Sequence, residues 1–218
     1  MGRILLMSLC ILGQFVLALG VPQAAPPTSR IEALKALTSH QVERRFEAVA
    51  RLADIGLMQD SEALVTRLRD RDETVSDAAN AALWQIWARS GNKAIDRLYA
   101  RGASEMAAGQ SLEAIGTFSE IIKLKPNFAE AWNKRATVYY FIGEWEKSRA
   151  DCDEVLKRNP FHFGALSGYG QIYIQLNEPA KALIFFEKAF AINPTMQGVA
   201  KNIEGIRRAL QRSRDKMI

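Results

Sequence analysis

Three of the chain's seven prolines, Pro126, Pro160 and Pro194, stand 34 residues apart. Each follows an apolar run, and a fresh apolar pattern starts about three residues later. Proline ends a helix and biases the residue before it towards extended backbone. Equal spacing of such stops means that one supersecondary unit recurs, and repeats constrain a fold more than any single element does. From Arg30 onward apolar residues recur at intervals of three and four: Ile31, Leu34, Leu37; then Val42, Phe46, Val49, Leu52; then Val75, Ala79, Leu83, Ile86. That period is helical, and no segment alternates cleanly in the manner of a strand. Turns are expected at Gly56, Asp70-Arg71-Asp72, Ser90-Gly91-Asn92 and at each repeated Pro.

Registered on the prolines, the units run over 95–128, 129–162 and 163–196. Unit position 4 holds Leu98, Trp132 and Leu166, and position 8 holds Gly102, Ala136 and Gly170. Position 11 holds Glu105, Tyr139 and Tyr173, position 20 Ala114, Ser148 and Ala182, and position 24 Phe118, Cys152 and Phe186. Small residues let two helices of a hairpin meet, and large ones fill the hole opposite. Gly109 and Gly143, with Asn177 in the third unit, sit where the first helix of each hairpin needs a left-handed stop. The pattern is similar to the tetratricopeptide repeat, with Glu105 and Cys152 as departures from its aromatic positions. Residues 197–218, with Val199, Ile203, Ile206 and Leu210 on one face, resemble the capping helix that covers the last repeat. Upstream, residues 37–56 lie over 68–87 at an offset of 31, pairing Leu37 with Leu68, Ala48 with Ala79, Leu52 with Leu83 and Ile55 with Ile86. This segment, 30–91, resembles HEAT-like repeats. The fold class implied is all-α, a right-handed α-solenoid of helical hairpins.

The N-terminus reads as an export signal. Met1-Gly2-Arg3 is a short basic start, Ile4 to Gly20 is nearly all apolar, and Ala18 and Gly20 suit a cut before Val21. An uncleaved anchor is the rival reading. Residues 21–29, VPQAAPPTS, form a Pro/Ala-rich linker. Cys10 lies inside the apolar run, so cleavage leaves Cys152 as the one thiol and permits no intrachain disulfide. The expected location is the bacterial periplasm, or the inner membrane if the segment is kept. The formal charge of +5 gathers partly at the ends and is weak support for a nucleic-acid partner.

Catalytic patterns are missing: there is no GxSxG, no phosphate-binding glycine loop, and neither His40 nor His162 has a second ligand at metal spacing. His40 is placed to cap the helix that follows it. Asp151, Asp153 and Glu154 read as a solvated helix surface, and Cys152 as a small buried hydrophobe. No enzyme activity, cofactor or metal is expected.

The resemblance implies a concave face lined by the first helix of each hairpin, contacting partners at unit positions 2, 5, 9, 12 and 13. Carried over residue by residue it gives Tyr99 and Met106; Asn133, Thr137, Tyr140 and Phe141; Ser167, Gln171 and Ile174; and Lys201 and Arg208 on the cap. Aromatic area with side-chain amides suits a peptide backbone. The family's two-carboxylate clamp needs Lys and Asn, then Asn, then Lys and Arg; those places hold Tyr99, Ala103, Lys134, Gly164 and Gly168, and none matches. The function implied is a protein-binding scaffold or assembly factor of the cell envelope. Its alternatives are an accessory subunit of an envelope enzyme or secretion complex, and a self-associating structural protein.

Overall fold

A computed structural model describes residues 25–215. The export segment, Cys10 and residues 216–218 lie outside them. Among the described residues the chain is helical throughout: α1 Arg30–Ala36, α2 Val42–Ile55, a 3-10 turn Met58–Asp60, α3 Ser61–Arg67, α4 Glu73–Trp87, α5 Lys93–Ala107, α6 Ser111–Leu124, α7 Ala129–Phe141, α8 Trp145–Arg158, α9 Phe163–Gln175, α10 Pro179–Ile192 and α11 Gln197–Asp215.

The pairs α5/α6, α7/α8 and α9/α10 are the repeated hairpins, and α11 packs on α10. Each first helix stops in the same way. Gly109, Gly143 and Asn177 have φ of 73°, 78° and 56°. The next amide then reaches back, Gln110 N–H to the Glu105 carbonyl at 2.9 Å, Glu144 to Tyr139 at 2.9 Å and Glu178 to Tyr173 at 2.8 Å. This satisfies carbonyls that the helix end would leave orphaned. The hairpins close on the small residues. A Cβ at Gly102 would stand 2.9 Å from the Phe118 ring, and one at Gly170 would stand 2.5 Å from the Phe186 ring. The middle hairpin meets instead through Ala136 and Cys152, which share a cluster with Tyr169 and Ile172.

The N-terminal helices do not extend the array from its first unit. Their core, with Leu52, Leu64, Val75, Leu83 and Trp87, is continuous with Phe163, Phe186, Ala189 and Ile203 of the third unit and cap. The first unit has a separate core around Ile95, Phe118 and Ile121. The seam is made by α4. Just before its start Arg69 donates to the Ala191 and Ile192 carbonyls, and at its middle Asn80 Oδ1 accepts from Asn193 Nδ2 at 2.9 Å. Near its end Trp87 stacks on His162 with centroids 4.7 Å apart, and Trp84 meets Phe163 edge-on at 5.3 Å. So α4 runs across the turns that join unit two to three and unit three to the cap. The chain then enters α5 through Ser90–Asn92, where Asp96 accepts from the Ser90 amide at 2.9 Å.

Within the N-terminal part, Arg45 forks onto Asp70 with both bonds at 2.7 Å, tying the two hairpin turns together. Arg30 does the same for the buried Asp60. Both carboxyls are held below the usual Asp range. For Asp70 the Arg45 bond is the main cause. For Asp60 burial pushes upward, and the bonds from Arg30 and the Leu57 amide outweigh it. His40 does not cap α2: Ser39 Oγ accepts from the Gln41 amide, and Arg45 takes the His40 carbonyl.

Candidate functional site: a groove along the first helices

The first helices α5, α7 and α9 lie side by side, and the groove expected from the sequence is built mainly from two of them. Asn133, Thr137, Tyr140 and Phe141 of α7 and Gln171 of α9 line one cavity of 220 Å³, together with Ala136, Ser148, Cys152, Gly164, Ala165 and Gly168. Gln171 continues into a second, shallower pocket with Ser167, Met196, Gly198, Val199 and Asn202, between α9 and the cap. Phe141 is 72% exposed beside Tyr140, with centroids 5.8 Å apart. Tyr140 accepts at its hydroxyl from Gln175 Nε2 at 3.1 Å, which fixes its ring beside the cavity. Ile174 stands exposed one turn beyond Gln171.

The other expected residues are placed differently. Tyr99 packs on Phe118 and Phe128, and Met106 rests against the first-unit core. Arg208 pairs with Glu204 and lines a separate cleft with Glu187 and Phe190. Lys201 is exposed on α11 outside both groove pockets.

Behind the groove lies a buried polar cluster that sequence reading missed. Glu130, fully buried, takes hydrogen bonds from His162 Nε2 at 2.9 Å, Asn133 Nδ2 at 3.2 Å and the Tyr99 hydroxyl at 3.3 Å. His162 Nδ1 accepts from the Ala165 amide at 3.0 Å, which caps α9 and leaves the ring its proton on Nε2. Burial pushes the Glu130 carboxyl up, but the bond from His162, with Lys134 and Asn133, holds it below the usual carboxylate range. Tyr99 is driven far above its ordinary value by burial first and then by the Glu130 charge. The cluster orients Tyr99, Asn133 and the start of α9 at one stroke. Its one sequence signal was His162 at a turn.

The acids on α8 also differ from expectation. Asp151 is buried and forked by Arg135 with both bonds at 2.7 Å, and Asp153 takes the Tyr169 hydroxyl. Of the three, Glu154 is the one left to surface pairing, with Lys157 and Arg158. Burial, with the neighbouring Asp151 and Asp153 charges, pushes the Cys152 thiol up to about 12, far from a thiolate at neutral pH. Among the described residues no group of three or more His, Cys, Asp and Glu is arranged to hold a metal ion.

Comparison with known proteins places this geometry. Residues 133–196 match a family model described as tetratricopeptide repeat. The chain is 34% identical over 128 residues to a TPR repeat-containing protein of Rhizobium etli, covering 59% of this chain and 62% of that one. It is 25% identical over 114 residues to the Hsp70-Hsp90 organizing protein of Triticum aestivum, covering 52% and 20%. The chain thus spans less than two thirds of the length of the curated relatives it matches. Among solved structures, the Sgt2 TPR domain from Aspergillus fumigatus superposes with a TM-score of 0.53 at 19% identity, over 57% of this chain and 83% of that one. The first TPR of Spaghetti, bound to the HSP90 peptide SRMEEVD, gives 0.52 at 20%, over 54% and 93%.

Proposed function

This chain is a tetratricopeptide repeat protein, and from that premise we propose that it is a non-catalytic scaffold that holds a segment of a partner protein along α7, α9 and the cap. The observation that carries the reading is the pair of adjoining pockets that share Gln171, one reaching Phe141 and the other Asn202. Together they are concave, partly apolar and bordered by side-chain amides, the combination that grips an extended backbone while leaving side chains to decide the partner. The Spaghetti neighbour carries an HSP90 peptide. Here the places of the carboxylate clamp hold Tyr99, Ala103, Lys134, Gly164 and Gly168. Tyr99 is packed inward, and a Cβ on Gly164 would stand 2.6 Å from Trp84. An acidic chain terminus therefore finds no matching cations, and a different segment is the ligand.

We place the protein outside the cytoplasm of a bacterium on the strength of the apolar run Ile4–Gly20 and its small-residue cut site. The test of both parts is a photo-crosslinker at Tyr140 in intact cells. A discrete partner of the cell envelope, lost when Asn133→Ala and Gln171→Ala are combined, supports the reading. A crosslink to a second copy of the chain would favour self-assembly instead. No crosslink would remove the concave face from consideration.

A further inference from the structure

The three hairpins are closed by the same pair of positions, and the middle one is closed differently. Phe118 and Phe186 each press a ring onto a glycine of the facing helix, Gly102 and Gly170. In the middle unit the pair is Ala136 and Cys152, so a ring is replaced by a thiol. The neighbouring α9 packs Tyr169 and Ile172 against this pair but is small on the groove side. It presents Gly164, Ala165 and Gly168 there, and even a Cβ on Gly168 would only just reach Cys152 Sγ, at 3.6 Å. What remains is the cavity of 220 Å³, floored by Cys152, Ala136 and Gly168 and open beside Tyr140 and Phe141.

We propose that this notch is an anchor pocket for one aromatic side chain of an uncharged, extended partner segment. The proposal rests on the concave-face reading and gives its ligand a chemistry. The volume falls below the range of about 300–1,000 Å³ usual for free small molecules, so a side chain is the fitting occupant. Charge complementarity narrows it further. Neither the notch nor the adjoining pocket is lined by a charged side chain. A carboxylate or ammonium pushed into it would lose its water and meet no counter-charge. A ring fits, because Tyr140 and Phe141 already meet edge-on at 5.8 Å and can offer a face or edge to a third. Beyond the ring, towards the cap, the partner's backbone is met by the amides of Gln171 and Asn202, neither of which is engaged in a hydrogen bond among the described residues. The Cys152 thiol stays protonated and the contact is non-covalent.

The test uses the 15N-labelled protein and three blocked pentapeptides, Gly-Ser-Phe-Ser-Gly and its Asp and Lys counterparts. The Phe peptide should move the amide resonances of Ala165, Gly168 and Gln171, with affinity at least about tenfold above the charged pair. Ala136→Gly combined with Cys152→Phe refills the notch with the Gly–Phe pair of the other units. It should weaken the Phe peptide at least about tenfold while the melting curve shows a folded protein. Should that pair fail to fold, Gly168→Leu fills the notch from α9 and serves the same purpose. Equal binding of the charged peptides, undiminished binding by a folded filled variant, or no resonance shift with any peptide overturns the proposal. The groove reading is judged separately. If Asn133→Ala with Gln171→Ala loses the cellular crosslink and the filled variant keeps it, the groove stands and the notch falls. If both keep it, both fall.

Discussion

Glu130 gathers more buried polar partners than a helix-start carboxylate ordinarily does. It is a buried carboxylate with three donors: Asn133 one turn on in α7, Tyr99 from α5, and His162 from the turn into α9. Its folded carboxyl lies below the usual value of 4.5, the bonds outweighing burial. A depressed acid stabilises the fold above its unfolded value, and that contribution is lost as pH falls through the folded one. Glu130→Gln should therefore be less stable than the parent at neutral pH by about 1–3 kcal/mol. The gap should narrow at acid pH, as the parent's own depressed carboxyl becomes protonated. Calorimetry of both proteins at neutral and acid pH checks this, and a gap independent of pH would deny the charge its role. Residue-scale chemistry was legible where a single backbone need dictates the choice, as at Asn177 and Gly170. It was not legible at Asp151, because nothing in a polar residue's own neighbourhood reveals a buried Arg135 on the facing helix. In hindsight a second spacing was present: Arg135 with Asp151, Gly102 with Phe118 and Ala136 with Cys152 are all separated by 16 residues, the step from one helix of a hairpin to the other.

At the scale of elements, α4 is the helix whose role the sequence concealed. Its periodic Val75, Ala79, Leu83 and Ile86 mark one buried face, and that reading holds, since all four are buried. The same helix also buries Trp87, whose indole N–H donates to Ser61 Oγ at 3.0 Å while its ring lies on His162. The partners of α4 in the third unit and cap are far off in sequence, Phe163 for Trp84 and, 113 residues away, Asn193 for Asn80. A 34-residue period reports contacts between successive units and carries no trace of such a crossing. The groove shares this limit. Its α7 and α9 residues follow from the repeat register, whereas the notch over Cys152 depends on three helices being small at one point. Trp87→Ala should cost about 3–5 kcal/mol, the range for emptying a large buried aromatic site. Because Trp87 covers His162, hydrogen exchange at the Ala165 amide should quicken as well. An effect confined to α1–α4 would mean that the helix is only a neighbour of the array.

For the whole molecule, the seam decides whether there are two folding units or one. Solenoids ordinarily behave as chains of nearest-neighbour units that can melt in stages. Here Leu52 and Val75 belong to the same continuous core as Phe186 and Ile203. Heating should therefore give one calorimetric transition for the N-terminal helices and the third unit together, with van't Hoff and calorimetric enthalpies agreeing. Two resolved transitions would show the seam to be a loose contact. The first unit, with its separate core, is the place where a shoulder would arise if there is one.

The crossing helix also bears on how such a chain can change over generations. Arrays of hairpins grow and shrink by copying a unit, because each copy needs only a neighbour. In this protein α4 ends a few residues before the first hairpin and clasps the turn that opens the third. Its reach is fixed by its own length, about 1.5 Å per residue. A duplicated hairpin between them would insert two more helices, each about 8–10 Å across, and carry Phe163 out of the clasp. The number of hairpins is thus tied to the length of a helix that lies outside them.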